Sequence, residues 1–256
     1  MKKVIYSLIM ALLAMPAALG LSYVNLKNSE VKNVNQDVKN TADGGSKINS
    51  GITAKGSTIV NSKIDNTNQN VTNKATGNST INSGIEANNA TIKDSKVENR
   101  NIGVQNTATG NSVINSGISA NNATIKSSTV LNSNTGVTNT ATQGSKINTG
   151  IAADGATIKN STVINENSNI TNTATNGSKI NTGIAADGAT IQNSKITNVA
   201  KDMNNTADQG ATLNYGLNLE GATVKDAKIS QSNTKVSNTA TGSGSKANSG
   251  VDLGGN

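Results

Sequence analysis

The chain has 256 residues, of which Asn, Thr and Ser supply 43, 31 and 27, and it contains no Cys, His, Phe or Trp. This composition excludes Ser-His-Asp and Cys-His nucleophiles, zinc bound by His or Cys, haem and iron–sulfur ligation, and aromatic base-stacking platforms. The formal net charge of +7 is mild for this length and does not by itself indicate nucleic-acid binding. We therefore expect a protein that is not an enzyme and that binds no cofactor or metal.

Residues 1–20 have the pattern of an export signal. A basic start precedes the apolar run 4–13, and the small residues Ala18 and Gly20 fit the rule for signal cleavage. We expect cleavage after Gly20 rather than membrane anchoring, because the apolar run is short for a span and Pro16 follows it closely. The processed chain would then be secreted and, having no Cys, would be stabilised without disulfides.

A 33-residue repeat follows the export signal. The pentad Ile-Asn-Ser-Gly-Ile at 48–52 returns at intervals of 33 residues, with Thr in place of Ser in two copies. The last two copies, Leu-Asn-Tyr-Gly-Leu at 213–217 and Ala-Asn-Ser-Gly-Val at 247–251, are altered further, and the final one comes after 34 residues. The chain therefore divides into a partial unit (21–47), six full units (48–246) and a partial terminal unit (247–256), with no separate domain or linker. Positions within a unit are counted here from the first residue of its pentad.

The scarce aliphatic residues occupy fixed places in the repeat. Positions 1, 5, 12, 17 and 24 hold Ile, Val, Leu or Met in all six full units, and position 28 is always Ala. Such regular placement predicts an apolar column that neighbouring units build together. The residues predicted to form this stacking core are Ile48, Ile52, Ile81, Ile85, Ile114, Ile118, Ile147, Ile151, Ile158, Val163, Ile170, Ile180 and Ile184.

Asn is equally regular at positions 2 and 26. In stacked units these side chains would hydrogen-bond to their own copies in the next unit, forming an Asn ladder. The predicted ladder residues are Asn49, Asn82, Asn115, Asn148, Asn181 and Asn214 at position 2, and Asn73, Asn106, Asn139, Asn172, Asn205 and Asn238 at position 26.

The segments between the turn-forming residues at positions 8–9 and 30–31 are short and β-branched, and they lack a helical period. We predict strands at positions 33 to 7, 10 to 18 and 24 to 29, with bends near the invariant Gly at position 4 and between positions 12 and 17. Positions 18–23 vary most and are predicted to face outward. The fold class is all-β, a β-solenoid; whether one unit makes one rung or two stays open.

The repeats must stack to be stable. One unit buries too little apolar surface to offset the entropy lost on ordering its backbone, so its neighbours must complete the strands and seal the core. We expect no cap at either end of the solenoid, because residues 21–47 continue the repeat and the last unit breaks off partway through it. We therefore expect chains to add end to end, in a contact that does not close and so makes a fibre.

The export signal, the imperfect Asn-, Gly-, Ala- and Thr-rich repeats and the lack of Cys resemble the subunits of bacterial functional amyloids of the curli and Fap families. The resemblance covers about residues 21–256, and Ile147, Asn148, Gly150 and Ile151 are of the kind that such cores use. It implies a homopolymeric extracellular fibre of the cell surface or biofilm matrix, exported through a secretion pore and started by a nucleator. Exported β-helical adhesins are a second resemblance.

Two binding roles stay open beside the fibre. Lys residues at positions 13, 16 and 33 would stack into basic stripes suited to anionic polysaccharide or extracellular DNA, or into solvated faces that keep the chain soluble. Thr-Ala-Thr at positions 27–29 recurs in four units, a pattern that ice-binding solenoids use and that β-propensity also explains. The alternative function is therefore a monomeric or surface-tethered β-solenoid adhesin for glycans or ice.

Overall fold

The computed structural model of the chain describes residues 19–20 and 25–252. These residues form 33 β-strands and no helix. All strand pairs are parallel and join residues 33 apart, as Ile81 pairs with Ile114, except for an offset of 34 at the last step, where Leu213 pairs with Ala247. One unit is therefore one rung, and the fold is the predicted β-solenoid, with about seven rungs.

Two of the four sheets flank the glycine at position 4. The first sheet, at positions 33 to 2, contains β5 (Lys47–Asn49), β10 (Thr80–Asn82), β15 (Val113–Asn115), β20 (Lys146–Asn148), β24 (Lys179–Asn181), β28 (Thr212–Asn214) and β32 (Lys246–Asn248). The second, at positions 5 and 6, contains β1 (Leu19–Gly20), β6 (Ile52–Thr53), β11 (Ile85–Glu86), β16 (Ile118–Ser119), β21 (Ile151–Ala152), β25 (Ile184–Ala185), β29 (Leu217–Asn218) and β33 (Val251–Asp252).

The other two sheets close the coil. The third, at positions 11 to 13, contains β2 (Asn25–Lys27), β7 (Thr58–Val60), β12 (Thr91–Lys93), β17 (Thr124–Lys126), β22 (Thr157–Lys159), β26 (Thr190–Gln192) and β30 (Thr223–Lys225). The fourth, at positions 16 to 29, contains β3 (Glu30–Gln36), β4 (Lys39–Ala42), β8 (Lys63–Gln69), β9 (Thr72–Ala75), β13 (Lys96–Ile102), β14 (Gln105–Thr109), β18 (Thr129–Thr135), β19 (Thr138–Thr142), β23 (Thr162–Ala174), β27 (Lys195–Asp208) and β31 (Lys228–Thr241).

The predicted strand limits were wrong in two of three cases. The segment predicted at positions 33 to 7 is two short strands, because the predicted bend at the position-4 glycine interrupts the strand. The segment predicted at positions 10 to 18 is split between a strand at positions 11–13 and another that starts at position 16. The residue at position 14, within the predicted bend, has a positive φ in every rung and turns the chain. These turn residues are Asn28, Asn61, Asp94, Ser127, Asn160, Asn193 and Asp226.

The prediction that positions 18–23 face outward was also wrong. Positions 16 to 22 form a strand, so alternate side chains point to opposite sides. Positions 19 and 21 point inward, and Asn132 and Asn134 are buried there, whereas Ser133 between them is partly exposed. Only the outward half of this segment varies freely.

The interior contains three apolar columns. The largest joins positions 5, 12 and 17 with small residues at positions 7 and 10, the second joins positions 1 and 28, and the third follows position 24. Of the predicted stacking core, Ile48 is half-buried in the first rung of its sheet. The other twelve are buried: Ile52, Ile81, Ile85, Ile114, Ile118, Ile147, Ile151, Ile158, Val163, Ile170, Ile180 and Ile184.

The predicted export signal lies outside the described residues except for Leu19–Gly20. These two residues pair with Ile52–Thr53 as the first strand of the second sheet. Cleavage after Gly20 would remove β1 and leave β6 as the edge. The described ranges contain no helix with the length and apolar character needed to cross a membrane.

Candidate functional site

The contact between successive rungs is the candidate functional site, because the same polar groups recur there along the rod. The predicted ladder at position 26 is present and is buried from Asn40 to Asn205. Each amide nitrogen donates to the amide oxygen of the next rung at 2.7–3.0 Å. Asn139 also donates to the Thr149 hydroxyl at 3.1 Å, which ties the ladder to the opposite wall.

The predicted ladder at position 2 is also present, on the outer surface. Its bonds run in the opposite direction: Asn148 Nδ2 donates to Asn115 Oδ1 of the preceding rung at 2.9 Å, and Asn181 repeats the contact with Asn148. Most of these side chains are partly exposed. A groove that runs along the rod between positions 33 and 8 is lined by Asn82, Asn115, Asn148, Asn181 and Asn214.

Two further Asn ladders, at positions 19 and 21, were missed by the sequence analysis. At position 19 the chain of bonds runs from Asn33 to Gln231 at 2.7–2.8 Å. At position 21 it runs from Asn35 to Asn167 at 2.7 Å. The signal that could have revealed them is the Asn-x-Asn spacing of two, which places both amides on one face of a strand.

The bend at positions 3 and 4 explains why these buried amides are needed. Thr149 and Gly150 both donate their N–H groups to the carbonyl of Asn181, and Ile151 donates to that of Gly183. The carbonyl of Thr182 therefore accepts no backbone hydrogen bond from the neighbouring rung. Because a buried carbonyl without a donor is costly, two amides from the opposite wall supply its bonds: Asn165 at 2.6 Å and Asn167 at 2.8 Å.

The invariant glycine at position 4 permits the close approach of rungs at this bend. A Cβ on Gly150 would overlap the carbonyl oxygen of Gly183, and it would lie 2.7 Å from the carbonyl carbon of Thr182. The same contact recurs at each glycine of this column from Gly51 to Gly216. Any larger residue would therefore have to push two backbones apart.

The rung that contains Ala200 shows how the polar core tolerates a change. Ala200 ends the position-21 ladder, and the Tyr215 side chain is fully buried in the same apolar column as Ala200 and Met203. Asn198 still donates to the carbonyl of Tyr215 at 2.6 Å. A lost amide is thus replaced by a large side chain nearby rather than by a cavity.

An acidic column stands at position 8 towards the C-terminal end of the rod. Asp154, Asp187 and Glu220 succeed one another in neighbouring rungs, and Asp187 N–H donates to Asp154 Oδ1 at 3.2 Å. Partial burial, together with the carboxylates of Asp154 and Glu220, raises the pKa of Asp187 to about 6. Burial also raises the pKa of Asp154.

The solenoid should become less stable as the pH rises through about 6, the pKa of Asp187. The unfolded carboxyl has a pKa of about 3.9, so between the two values the folded chain holds a proton that the unfolded chain has lost. Asp187→Asn should raise Tm at neutral pH and flatten its pH dependence, and Asn88 and Asn121 show that the column accepts Asn. Thermal unfolding followed by circular dichroism measures both effects.

The matched control for this prediction is Asp226→Asn. Asp226 is an exposed turn residue, and Asn160 occupies the same position with the same sign of φ. Its Tm curve should run parallel to that of the unchanged chain. If the Tm curve of Asp187→Asn also ran parallel to that of the unchanged chain, the raised pKa of Asp187 would be contradicted.

The lysines at positions 13 and 16 form partly neutralised columns. Lys63 pairs with Glu30 at 3.2 Å, and Lys96 pairs with Glu98 at 2.8 Å. The hydrogen bond from Lys96, with further help from nearby positive charges, holds the pKa of Glu98 below its usual value. Lys126 and Lys159 are exposed in adjacent rungs. The predicted basic stripe is thus broken by acidic partners near its start.

No group of acidic side chains within residues 19–20 and 25–252 is arranged to hold a metal ion.

The sequence matches no protein-family model and no curated protein. Among solved structures, HetL, a pentapeptide repeat protein involved in heterocyst differentiation regulation from the cyanobacterium Nostoc sp. strain PCC 7120, aligns over 81% of this chain and 87% of its own. The identity is 14% and the TM-score is 0.11. The β-solenoid assignment therefore rests on the strand register described above.

Proposed function

We propose that this chain is a secreted structural protein whose copies add end to end into an extracellular fibre. One observation carries the proposal: Asn40 Oδ1, the first acceptor of the position-26 ladder, is buried and has no hydrogen-bond partner among the described residues. In each later rung this oxygen accepts from the Asn before it, up to the bond from Asn205 to Asn238. A second chain that continued the stack would bring its Asn238 to Asn40.

The strand edges at the two ends of the rod also support the proposal. Within the described residues, β2, β3, β4 and β5 are paired on one side only, as are β30, β31, β32 and β33 at the other end. Open edges of parallel strands are templates for a further chain. Because each internal contact joins like rungs, an end rung offers a surface that another copy can fit.

The two end rungs match column by column. Stacking the first rung of one chain on the last rung of another would place Leu26 on Val224, Val31 on Ile229 and Val38 on Val236. The polar columns would continue as Asn33 on Gln231, Asn35 on Asn233 and Asn40 on Asn238. The junction would thus repeat the contacts found inside the chain.

Charge favours the same register. Position 16 would bring Glu30 to Lys228, and position 23 would bring Asp37 to Lys235. The internal contact between Glu30 and Lys63 shows that this column supports an ion pair between neighbouring rungs. The column at position 13 would join Lys27 to Lys225, a like pair that the chain already accepts at Lys93 and Lys126.

The resemblance to curli and Fap subunits supports placing the fibre outside the cell, at the surface or in a biofilm matrix. Export through a pore, a nucleator and contacts with anionic polysaccharide or extracellular DNA belong to the same proposal. The absence of Cys from the sequence suits an assembly held by backbone and amide bonds rather than by disulfides.

Cysteines placed at the two ends should cross-link only between molecules. Asn25→Cys with Thr223→Cys puts both thiols at position 11, six rungs or about 29 Å apart in one chain, but about 4.8 Å apart across the proposed junction. That separation of Cα atoms suits a disulfide. Mild oxidation during assembly should give a ladder of multimers on a denaturing gel without reductant.

The control pair is Asn25→Cys with Thr157→Cys, which moves one thiol to the middle of the rod. Its thiols would be about 14 Å apart across the junction, too far for a disulfide. Equal multimers from both pairs, or none from either, would refute the end-to-end register.

A second candidate function is the binding of a linear glycan in the groove beside the position-2 ladder. The groove has a volume of about 400 Å³, and Asn115, Asn148, Lys146, Lys179 and Asp154 are among its lining residues. Amides and charges of both signs can bond to sugar hydroxyls. Retention of the folded monomer on a polysaccharide resin, lost in Asn148→Ala, would favour this function.

A further inference from the structure

The outward side chains at positions 25, 27 and 29 form one face of the rod, called here the threonine face. The residues between them point inward, as the buried Asn139 and Ala141 do. Of the 21 residues of this face in seven rungs, 14 are Thr. They are Thr41, Thr72, Thr76, Thr107, Thr109, Thr138, Thr140, Thr142, Thr171, Thr173, Thr175, Thr206, Thr239 and Thr241.

The strand register stacks these threonines in straight columns. Thr107 pairs with Thr140, which pairs with Thr173, and Thr109 pairs with Thr142. The hydroxyls of Thr142 and Thr109 lie 3.3 Å apart, within hydrogen-bond distance. The face is therefore a regular array of methyl and hydroxyl groups with the rung spacing of the solenoid.

The threonine face carries no net charge, unlike the chain as a whole. Its charged residues are Lys39, Lys74, Asp43 and Asp208, which cancel. The three central rungs have none on this face, whereas the third sheet presents Lys126 and Lys159 and the turn at position 8 carries the acidic column. Two copies of the threonine face can meet without the repulsion that those charged surfaces would cause.

We propose that two fibres associate side by side through their threonine faces. The occupant is a second copy of this chain, and the inference rests on the proposed end-to-end assembly. A two-fold axis sets the same patch against itself, and flat sheets with short side chains pack about 10 Å apart in dry contacts. If the rods are antiparallel and centred on the rung of Thr140, Lys74 of one rod lies opposite the rung of Asp208 in the other, which places unlike charges together. Parallel rods in register would place Lys74 opposite Lys74, and these like charges would repel each other.

The area of the threonine face determines whether single chains or only assembled fibres associate through it. Six rung steps of about 4.8 Å and four residue steps of about 3.3 Å give roughly 400 Å² per partner, or roughly 800 Å² in total. Stable interfaces bury about 1,200 Å² or more. Single chains should therefore stay apart, while chains joined end to end multiply the area and associate.

The test replaces central threonines by lysines. Thr140→Lys with Thr173→Lys adds charge to the face at a position where Lys74 already stands in another rung. Electron microscopy of the assembled chain should show bundled fibres before the change and single fibres after it, with the fraction of bundled fibres falling at least about tenfold, since a binding constant falls tenfold for each 1.4 kcal/mol lost.

The control is Thr129→Lys with Thr162→Lys, which adds the same charge at position 16, where Lys63 and Lys96 stand in other rungs. It should still form bundles. If fibres of the unchanged chain never bundled, or if the two variants bundled equally, the lateral contact would be wrong and the end-to-end proposal would be unaffected. Absence of fibres would overturn both. Thermal hysteresis that is lost in Thr140→Lys with Thr173→Lys while bundling persists would assign the face to ice instead.

Discussion

Replacing Asn165 and Asn167 by Ala is expected to destroy the stacking of the rungs around them. The change leaves four buried groups without a partner: the Thr182 carbonyl, one N–H each of Asn132 and Asn134, and the Asn198 Oδ1. At about 1–3 kcal/mol each, the cost is roughly 4–12 kcal/mol, comparable with the whole stability of a domain. Circular dichroism should show Tm lowered by more than about 10 °C, or no folded chain.

The matched comparison is Asn148→Ala with Asn181→Ala in the position-2 ladder. These side chains are partly exposed, so water can replace the three ladder bonds that are lost. We expect a cost of roughly 1.5–4.5 kcal/mol and a folded chain. An equal or larger loss in this variant than in the Asn165 and Asn167 variant would contradict the assignment of the buried ladders as the stronger contacts.

Gly150→Ala should separate two rungs. The new Cβ would overlap the carbonyl oxygen of Gly183, and both partners are backbone, so relief requires breaking the 2.9 Å bond from Ile151 N–H to Gly183. Overpacking of this kind costs up to about 3 kcal/mol, and more where nothing can give way. Thermal unfolding should show a loss of at least this size, and hydrogen exchange should show faster exchange at Ile151.

Gly188→Asn is the control, because it replaces a glycine at which an added Cβ contacts no other residue. Gly188 has φ +63°, a Cβ added to it would have no atom within 4 Å, and Asn122 occupies the same position with φ +54°. The variant should stay within about 0.5 kcal/mol of the unchanged chain. A loss like that of Gly150→Ala would mean that loss of glycine itself, rather than the close approach of rungs, is responsible.

The sequence alone predicted the period, the all-β solenoid and two of the four ladders, because these features repeat without exception. A residue such as Ile147 recurs at every rung, and burial follows directly from that regularity. The bends at Gly150 and Asn160 were predicted, but the strand limits around them were harder to predict, because a pattern of apolar residues does not show how many residues leave the strand at a bend.

The buried ladders at positions 19 and 21 escaped prediction for a different reason. Their outward neighbours, such as Ser133 and Glu166, change freely and hide the regular alternation. The need for the amides arises from the Thr182 carbonyl, which lies seventeen residues from Asn165 and is left without a donor only once the chain has bent. The role of these amides can therefore be recognised only from the three-dimensional structure, in which Asn165 and the Thr182 carbonyl face each other.

Helical reconstruction of the assembled, processed chain by cryo-electron microscopy tests the central claim most directly. We predict a fibre in which the rung spacing of about 4.8 Å continues without a break across the junction between molecules, with Asn238 of one chain beside Asn40 of the next. A folded chain that stays monomeric at every concentration, or a fibre whose rods touch through their sides while their ends stay apart, would contradict it.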